Sequence, residues 1–230
     1  MLELSDSVQP IHPAATVVLL RDTADGLEAL LVQRSQAVNH MGGIWVFPGG
    51  KIEEADYSAD REDYSAALQA AIRETEEEAG LKLDASRLAY LSHWTTPEGA
   101  KRRFSTWFFL AALEDDQQVE VDGGEIAQHR WVSPKQALSE IADPDHALKL
   151  MPPTFVSLVD IADCGSCADA LDYARGREAL QYAPRMVFLD NGICFLYAGD
   201  AGYDDVNMDA EGSRHRTYMI DDRLDYQRYD

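Results

Sequence analysis

The sequence predicts an α/β chain of the α+β kind: a mixed β-sheet sandwiched between α-helices, followed by a β-rich C-terminal extension. Three observations carry that expectation. Apolar, β-branched runs alternate with two or three helical segments up to residue 162. A strand-like end, Val46-Phe47, breaks at Pro48 and two glycines, and a helical segment stopped by Gly80 follows. Beyond residue 162 the pattern gives way to short strand-like runs separated by turn residues.

In order, residues 14–20 (AATVVLL) form a buried strand, residues 21–26 (RDTADG) supply turn chemistry, and residues 27–33 (LEALLVQ) return as a second strand. A loop containing Met41-Gly42-Gly43 leads to a strand over residues 44–47. After the helix, residues 87–94 and 104–113 read as two strands joined through Thr95-Thr96-Pro97-Glu98-Gly99. Residues 119–124 are a charged connection and residues 126–132 a short strand. Ser133-Pro134 starts a helix over 135–141, and Pro152-Pro153 starts another over 154–162. Short strands are expected at 185–189, 193–197 and 216–220, the first two joined by the hairpin signal Asp190-Asn191-Gly192. The expected division is one domain over residues 12–162 and an extension over 163–230, packed on the core or placed at a homodimer interface.

At 230 residues the chain can bury a substantial core. Its 41 acidic residues against 20 basic ones give a net charge of −21. Such a surface excludes non-specific binding to nucleic acid or anionic membrane, which needs basic patches. An anionic small molecule must then be drawn in by bound metal and a few local arginines. There is no run of about eighteen apolar residues to span a bilayer. The opening MLELSD lacks the basic and apolar regions of a signal peptide, so the cytoplasm is the expected location. Cys164-Gly165-Ser166-Cys167 has no second CxxC or histidine pair to complete a zinc site, and Cys194 stands alone. All three cysteines are expected to be structural.

The chemistry concentrates on the helix before Gly80. At 100° per residue, Glu74, Glu77 and Glu78 fall on one arc, with Leu68, Ile72, Thr75 and Ala79 on an adjacent arc expected to face the core. Neighbouring carboxylates repel by a few tenths of a kcal/mol per pair even in water. A hard divalent cation reverses that penalty, since Mg²⁺ takes oxygen ligands and joins carboxylates to substrate phosphates. The bland alternative is a solvated glutamate face. The preceding strand, the double glycine and the terminal glycine favour the metal.

Gly50 and the run Arg73-Glu74-Thr75-Glu76-Glu77-Glu78-Ala79-Gly80-Leu81 together resemble the Nudix box. Two departures stand out. Asp56 occupies the place of the first glutamate, and sixteen residues rather than seven separate it from Arg73. The extra segment, residues 57–64, is polar and reads as a loop ahead of the helix. The resemblance covers residues 12–162. It implies the Nudix fold and hydrolysis, with Mg²⁺ or Mn²⁺, of a small-molecule nucleoside diphosphate linked to another moiety. Carried over position by position, Glu77 and Glu78 are metal ligands, the Gly50 carbonyl is another, and Glu74 is a ligand or the base. Arg73 orients the glutamates through charge-assisted hydrogen bonds. A further carboxylate from outside the box acts as base or ligand. Glu125 is favoured by its offset from Trp131, with Glu98 and Glu120 as rivals.

A second resemblance lies just before the box. Arg34-Ser35, Gly43 and Phe47-Pro48-Gly49-Gly50 keep the spacing of the coenzyme A diphosphatase signature, with Asn39 where that signature has a second arginine. Thr96-Pro97-Glu98-Gly99, Arg102-Arg103-Phe104 and Leu150-Met151-Pro152-Pro153-Thr154 are similar to the peroxisomal-type members and their bacterial relatives. This similarity implies that Arg34, Ser35, Gly49, Arg102 and Arg103 bind substrate, the arginine forks holding a 3′-phosphate. The implied reaction cleaves coenzyme A or acyl-coenzyme A to 3′,5′-ADP and (acyl-)4′-phosphopantetheine. Two other readings stay open: the same chemistry on ADP-ribose, NADH or a nucleoside triphosphate, or a non-catalytic nucleotide-sensing module. The presence of all three helix glutamates argues against the sensor.

Overall fold

A computed structural model of the chain describes residues 3–38, 41–113, 117–143, 148–221 and 223–230. Strands β1 (Ile11–Thr23) and β2 (Gly26–Arg34) form a hairpin, turned at Ala24-Asp25. Strand β3 (Trp45–Val46) adds to β2, and β4 (Gly49–Lys51) returns to pair with β1. Helix α1 (Asp63–Ala79) crosses over to β5 (Ala89–Thr95), which pairs antiparallel with β6 (Arg103–Ala112). Strand β6 lies parallel to β1, and β7 (Ile126–Val132) adds to β2. Helices α2 (Pro134–Ala142), α3 (Pro152–Ile161) and α4 (Cys167–Arg175) follow, then β8 (Leu180–Tyr182), parallel to β5. The resulting sheet has the order β3-β2-β1-β6-β5-β8. A second, antiparallel sheet holds β9 (Arg185–Leu189), β10 (Gly192–Leu196), β11 (Arg214–Ile220) and β12 (Arg223–Tyr229) in the order β12-β11-β10-β9. Among the described residues no helix is long and apolar enough to cross a membrane.

Strand periodicity builds two cores. On β1, Ala15, Val17 and Leu19 face α1, while Val18 and Leu20 face the opposite side, as the two-residue repeat of a strand requires. The opposite side is covered by α2, α3 and α4, by Phe195 of β10 and by Tyr197 just beyond it. Trp94 stacks on Tyr182 with ring centroids 3.9 Å apart, and Tyr197 meets Tyr182 edge-on at 5.1 Å. The mixed sheet between helices, with a β-rich C-terminal part, is thus the observed architecture.

The helix that carries the glutamates differs from expectation in its underside. Its fully buried face is Ala66, Ala67, Ala70, Ala71, Thr75 and Ala79, whereas Leu68 and Ile72 are only partly buried. Small side chains let the helix axis lie close to the sheet, so alanines rather than the bulkier apolar residues define the contact. Glu78 falls on the edge of that face and is 5% exposed. The segment ahead of the helix is also shorter than expected. Asp63 and Tyr64 belong to α1, and the Tyr64 ring packs on Trp107 and Phe109 at 5.5 and 5.8 Å. Within the loop that remains, Arg61 grips Glu54 with both terminal nitrogens, at 2.5 and 3.2 Å, and covers Tyr57.

Three strands and one helix lay outside the expectation. Strand β4, Gly-Gly-Lys, has no strand propensity and exists because β1 offers it a partner. Strand β8, which is short, and strand β12, which is polar, likewise form against partners, β5 and β11. Helix α4 did carry a local signal, since the Ser166 hydroxyl caps it by accepting from the Asp169 N–H. The three thiols are free, with Cys167 and Cys194 buried. Burial pushes the Cys167 thiol up to about 12, which suits a structural role.

Candidate active site

Two glycines bring the last two turns of α1 against β4. A Cβ on Gly50 would overlap the Glu74 carboxylate, and one on Gly49 would overlap the β1 backbone at Ala15 and Thr16. With neither present, the Gly49 N–H donates to Glu78 Oε2 at 2.9 Å. Pro48 fixes the approach through its carbonyl, which accepts from the Val17 N–H at 2.9 Å. The helix ends where Gly80 adopts a left-handed φ of 69° and donates to the Glu76 carbonyl.

Arg73 is the hub. Its Nε and Nη2 donate to the two oxygens of Asp56 at 3.0 and 2.9 Å, and Nη2 also reaches the Lys51 carbonyl at 3.0 Å. Its Nη1 donates to Glu74 at 2.8 Å and to Glu77 at 3.1 Å. Asp56, which departs from the box at sequence level, therefore has a defined place. It closes the 3₁₀ turn Glu54–Asp56, accepts from the Glu53 N–H at 2.8 Å, and presents a bidentate face to the guanidinium. The long insertion enters only after Asp56, so it leaves this contact intact.

Charge is unevenly matched here. Burial works against the Asp56 carboxylate, but Arg73 and the Glu53 amide outweigh it and hold its pKa below the usual range. For Glu74, burial wins over Arg73, helped by the charges of Glu77 and Glu125, and its pKa rises. Burial pushes Glu78 up to about 8; the Gly49 amide and Arg34 oppose the shift, and Glu74 and Glu125 reinforce it. One arginine thus serves a cluster of acids whose most buried member is undercompensated. Glu74, Glu77 and Glu78 offer oxygen donors alone, the set a hard divalent ion takes, so these residues fit Mg²⁺ or Mn²⁺. As they stand, no three acidic side chains among the described residues converge on one point, and Arg73 engages both Glu74 and Glu77.

Across from α1, the loop before β7 brings up Glu125. Its carboxylate lies 3.8 Å from the Arg34 guanidinium, and its carbonyl accepts from the Ser35 N–H at 2.7 Å. Arg34 shares the α1 face of β2 with Leu30 and Val32. Gly43, at a left-handed φ of 79°, donates its N–H to the Arg34 carbonyl at 2.8 Å. The Arg34 N–H donates to the Ile44 carbonyl at 3.0 Å. Arg34, Ser35 and Gly43 are therefore parts of one hydrogen-bonded loop.

The structure thus brings together Arg73, Glu74, Glu77, Glu78, Gly49, Gly50, Arg34, Ser35 and Glu125. It does not bring Arg103 to this group. Arg103 is 6% exposed and donates to the Thr96 and Gln9 carbonyls at 3.2 and 3.4 Å, holding the β5–β6 hairpin against the N-terminal segment. Its Nε and Nη1 are directed into this packing contact and away from the carboxylate cluster. Arg102 is exposed on the bend before β6, and Glu98 is exposed in the turn of the same hairpin. Glu120 is exposed, and its N–H donates to the Ala79 carbonyl at the helix end. Asn39 lies outside the described residues. The residue that sequence reasoning missed is Asp122, whose carboxylate gathers the amides around Glu125; the run Asp122-Gly123-Gly124 was its only signal.

A model of the NUDIX domain family matches residues 10–152. A protein of Mycobacterium tuberculosis named putative 8-oxo-dGTP diphosphatase 3 is 30% identical over 194 residues, which cover 83% of this chain and 79% of that one. The acyl-coenzyme A diphosphatase NUDT19 of Homo sapiens is 32% identical over 117 residues, 49% of this chain and 31% of that protein. Among solved structures, a NUDIX hydrolase from Alicyclobacillus acidocaldarius matches with a TM-score of 0.64 at 23% identity, over 72% of this chain and 97% of that one.

Proposed function

The chain belongs to the Nudix family and is a hydrolase of the diphosphatase type, and from that premise we propose that it cleaves coenzyme A or acyl-coenzyme A to 3′,5′-ADP and (acyl-)4′-phosphopantetheine. The observation that carries the substrate is the loop joining Arg34, Ser35 and Gly43 beside Glu125. In a chain of net charge −21, a guanidinium at the rim of the carboxylate cluster is a local attraction for an anionic ligand. Its planar fork suits the 3′-phosphate that coenzyme A has and ADP-ribose lacks. The likeness to the human acyl-coenzyme A diphosphatase points the same way.

In this reading Glu77, Glu78 and the Gly50 carbonyl would hold Mg²⁺ or Mn²⁺, with Glu74 a ligand or the alternative base. When bound, the ion neutralises the diphosphate and makes water a stronger nucleophile. Glu125 would accept the proton of the attacking water, while Arg34 would hold substrate phosphate. Arg73, anchored by Asp56, keeps Glu74 and Glu77 facing the same side. The Gly49 amide does the same for Glu78.

A second reading is hydrolysis of an oxidised nucleoside triphosphate. It is favoured by the mycobacterial relative, whose similarity runs over 83% of this chain rather than 49%. The test is turnover of coenzyme A, dephospho-coenzyme A, ADP-ribose, NADH and 8-oxo-dGTP with Mg²⁺ or Mn²⁺, products identified by mass. A higher kcat/KM for coenzyme A than for its dephospho form, with release of 3′,5′-ADP, is the expected result. Preference for 8-oxo-dGTP or ADP-ribose overturns the substrate and leaves the diphosphatase chemistry.

A further inference from the structure

We propose that Asp122 is the positioning residue for Glu125, and that its amide-gathering carboxylate sets the direction from which that glutamate meets the α1 acids. The inference rests on the reading of Glu125 as the base. Glu125 sits just ahead of β7, its side chain is 67% exposed, and its ion pair with Arg34 is long at 3.8 Å. Nothing in those contacts fixes where its carboxylate points, so its aim depends on the backbone beneath it.

Asp122 supplies that backbone constraint. Its Oδ2 accepts from the N–H groups of Gly124 and Glu125 at 3.2 and 2.8 Å, and its Oδ1 accepts from the Ile126 N–H at 2.9 Å. One carboxylate thereby clamps three successive amides, with the amide of Glu125 in the middle. Burial opposes the charge on Asp122, yet the amides outweigh it and keep the group ionised well below neutral pH. The two residues between acid and base suit this closure. Gly123 takes a left-handed φ of 70°, which glycine adopts without strain, and a Cβ on Gly124 would press within 3.0 Å of Asp122 Oδ2. The Glu125 carbonyl then accepts from Ser35, so the clamp also locates the turn carrying Arg34. From this side of the cleft Glu125 is near enough for its charge to raise both Glu74 and Glu78.

A loop cap that contributed only stability would look similar in a static view, so the test separates coupling from folding. Asp122→Ala, Asp122→Asn, Gly124→Ala, Glu125→Gln and the double variant Asp122→Ala/Glu125→Gln are compared in Mg²⁺ with coenzyme A, or with 8-oxo-dGTP if that is cleaved faster. Misplacing a base by about 1 Å lowers turnover by up to about 10²-fold. Asp122→Ala is therefore expected to lower kcat by roughly 10- to 10²-fold with KM within about twofold, and Asp122→Asn, which keeps one accepting oxygen, to recover most of that loss. In the Glu125→Gln background Asp122→Ala is expected to cost nothing further. Should Asp122→Ala not fold, Gly124→Ala carries the same comparison with a smaller loss. An equal loss in both backgrounds, a change in KM alone, or full activity of Asp122→Ala beside an impaired Glu125→Gln overturns the positioning role and leaves the base standing. A fully active Glu125→Gln overturns both.

Discussion

Arg216 and Arg73 both meet buried carboxylates, and they meet them differently. Arg216 of β11 and Asp200, in the bend after β10, are both buried and pair one to one, through Nε at 2.7 Å and Nη2 at 2.6 Å. Asp200 also accepts from the His215 and Gly202 N–H groups, at 2.8 and 2.9 Å, so its oxygens are fully engaged. Burial opposes the charge, but Arg216 and the two amides outweigh it and hold the pKa down to about 2. On α1 a single Arg73 is divided among Asp56, Glu74 and Glu77, while Glu78 has one amide and is pushed up to about 8. A pair closed within the protein stabilises the fold. An excess of acids around one cation leaves work for an ion from outside.

The difference between the two arginines has its largest consequence at Glu78. Chelation of divalent ions is expected to abolish turnover, and Glu78→Gln to lower kcat by roughly 10²-fold or more, the scale of losing an electrostatic stabiliser. Because burial disfavours the charged form of Glu78, the neutral amide should leave the unfolding midpoint unchanged or higher. Unaltered turnover in excess chelator would dissolve the distinction between the two arginines.

Asp200→Asn should do the reverse: wild-type turnover with a lower midpoint. Breaking a buried pair by removing one charge costs about 3–5 kcal/mol. The acid limb carries the same signature. Asp200 has its pKa depressed to about 2, so its stabilisation is complete above the ordinary value of 3.8 and is lost as pH falls through 2. That amounts to about 2 kcal/mol, read as a steeper decline in urea midpoint between pH 4 and pH 2 for wild type than for Asp200→Asn.

The smallest effect concerns the insertion. Deleting residues 58–61 removes the Arg61–Glu54 contact but spares Asp56, Asp63 and the docked Tyr64. Loop length costs little free energy, so stability is expected to change by less than about 1 kcal/mol and metal-dependent turnover to persist. Loss of cooperative unfolding would show that the loop supports α1.

What the sequence disclosed follows the range of the interactions involved. The arc of Glu74, Glu77 and Glu78, the Gly80 stop and the hairpin over Asp190-Asn191-Gly192 depend on neighbours within a turn or two, and they were legible. The Asp56–Arg73 contact spans an insertion and needs the 3₁₀ turn to aim it. Arg103 looks like a free cation in a motif, but its donors go to Gln9 and Thr96, the first of which is distant in the chain. The underside of α1 is set by the close approach to the sheet that alanine permits, which apolar bulk along the helix does not reveal. Asp122 was hidden in what reads as a charged linker.

The parallel pairing of β8 with β5 has a consequence for the order in which the chain assembles. Every group assigned to the site lies before Val132, so the chemistry is encoded well ahead of the sheet's last strand. Until Tyr182 leaves the ribosome, Trp94 lacks the ring it stacks on and β5 keeps an open edge with unpaired backbone groups. During synthesis the nascent chain therefore carries a complete set of reactive residues on an unfinished sheet, the state in which exposed edges invite misassembly. The second sheet begins within a few residues of that strand, and Tyr197, just beyond β10, packs on Tyr182, so the C-terminal region has a part in the enzyme's assembly as well as in its finished form.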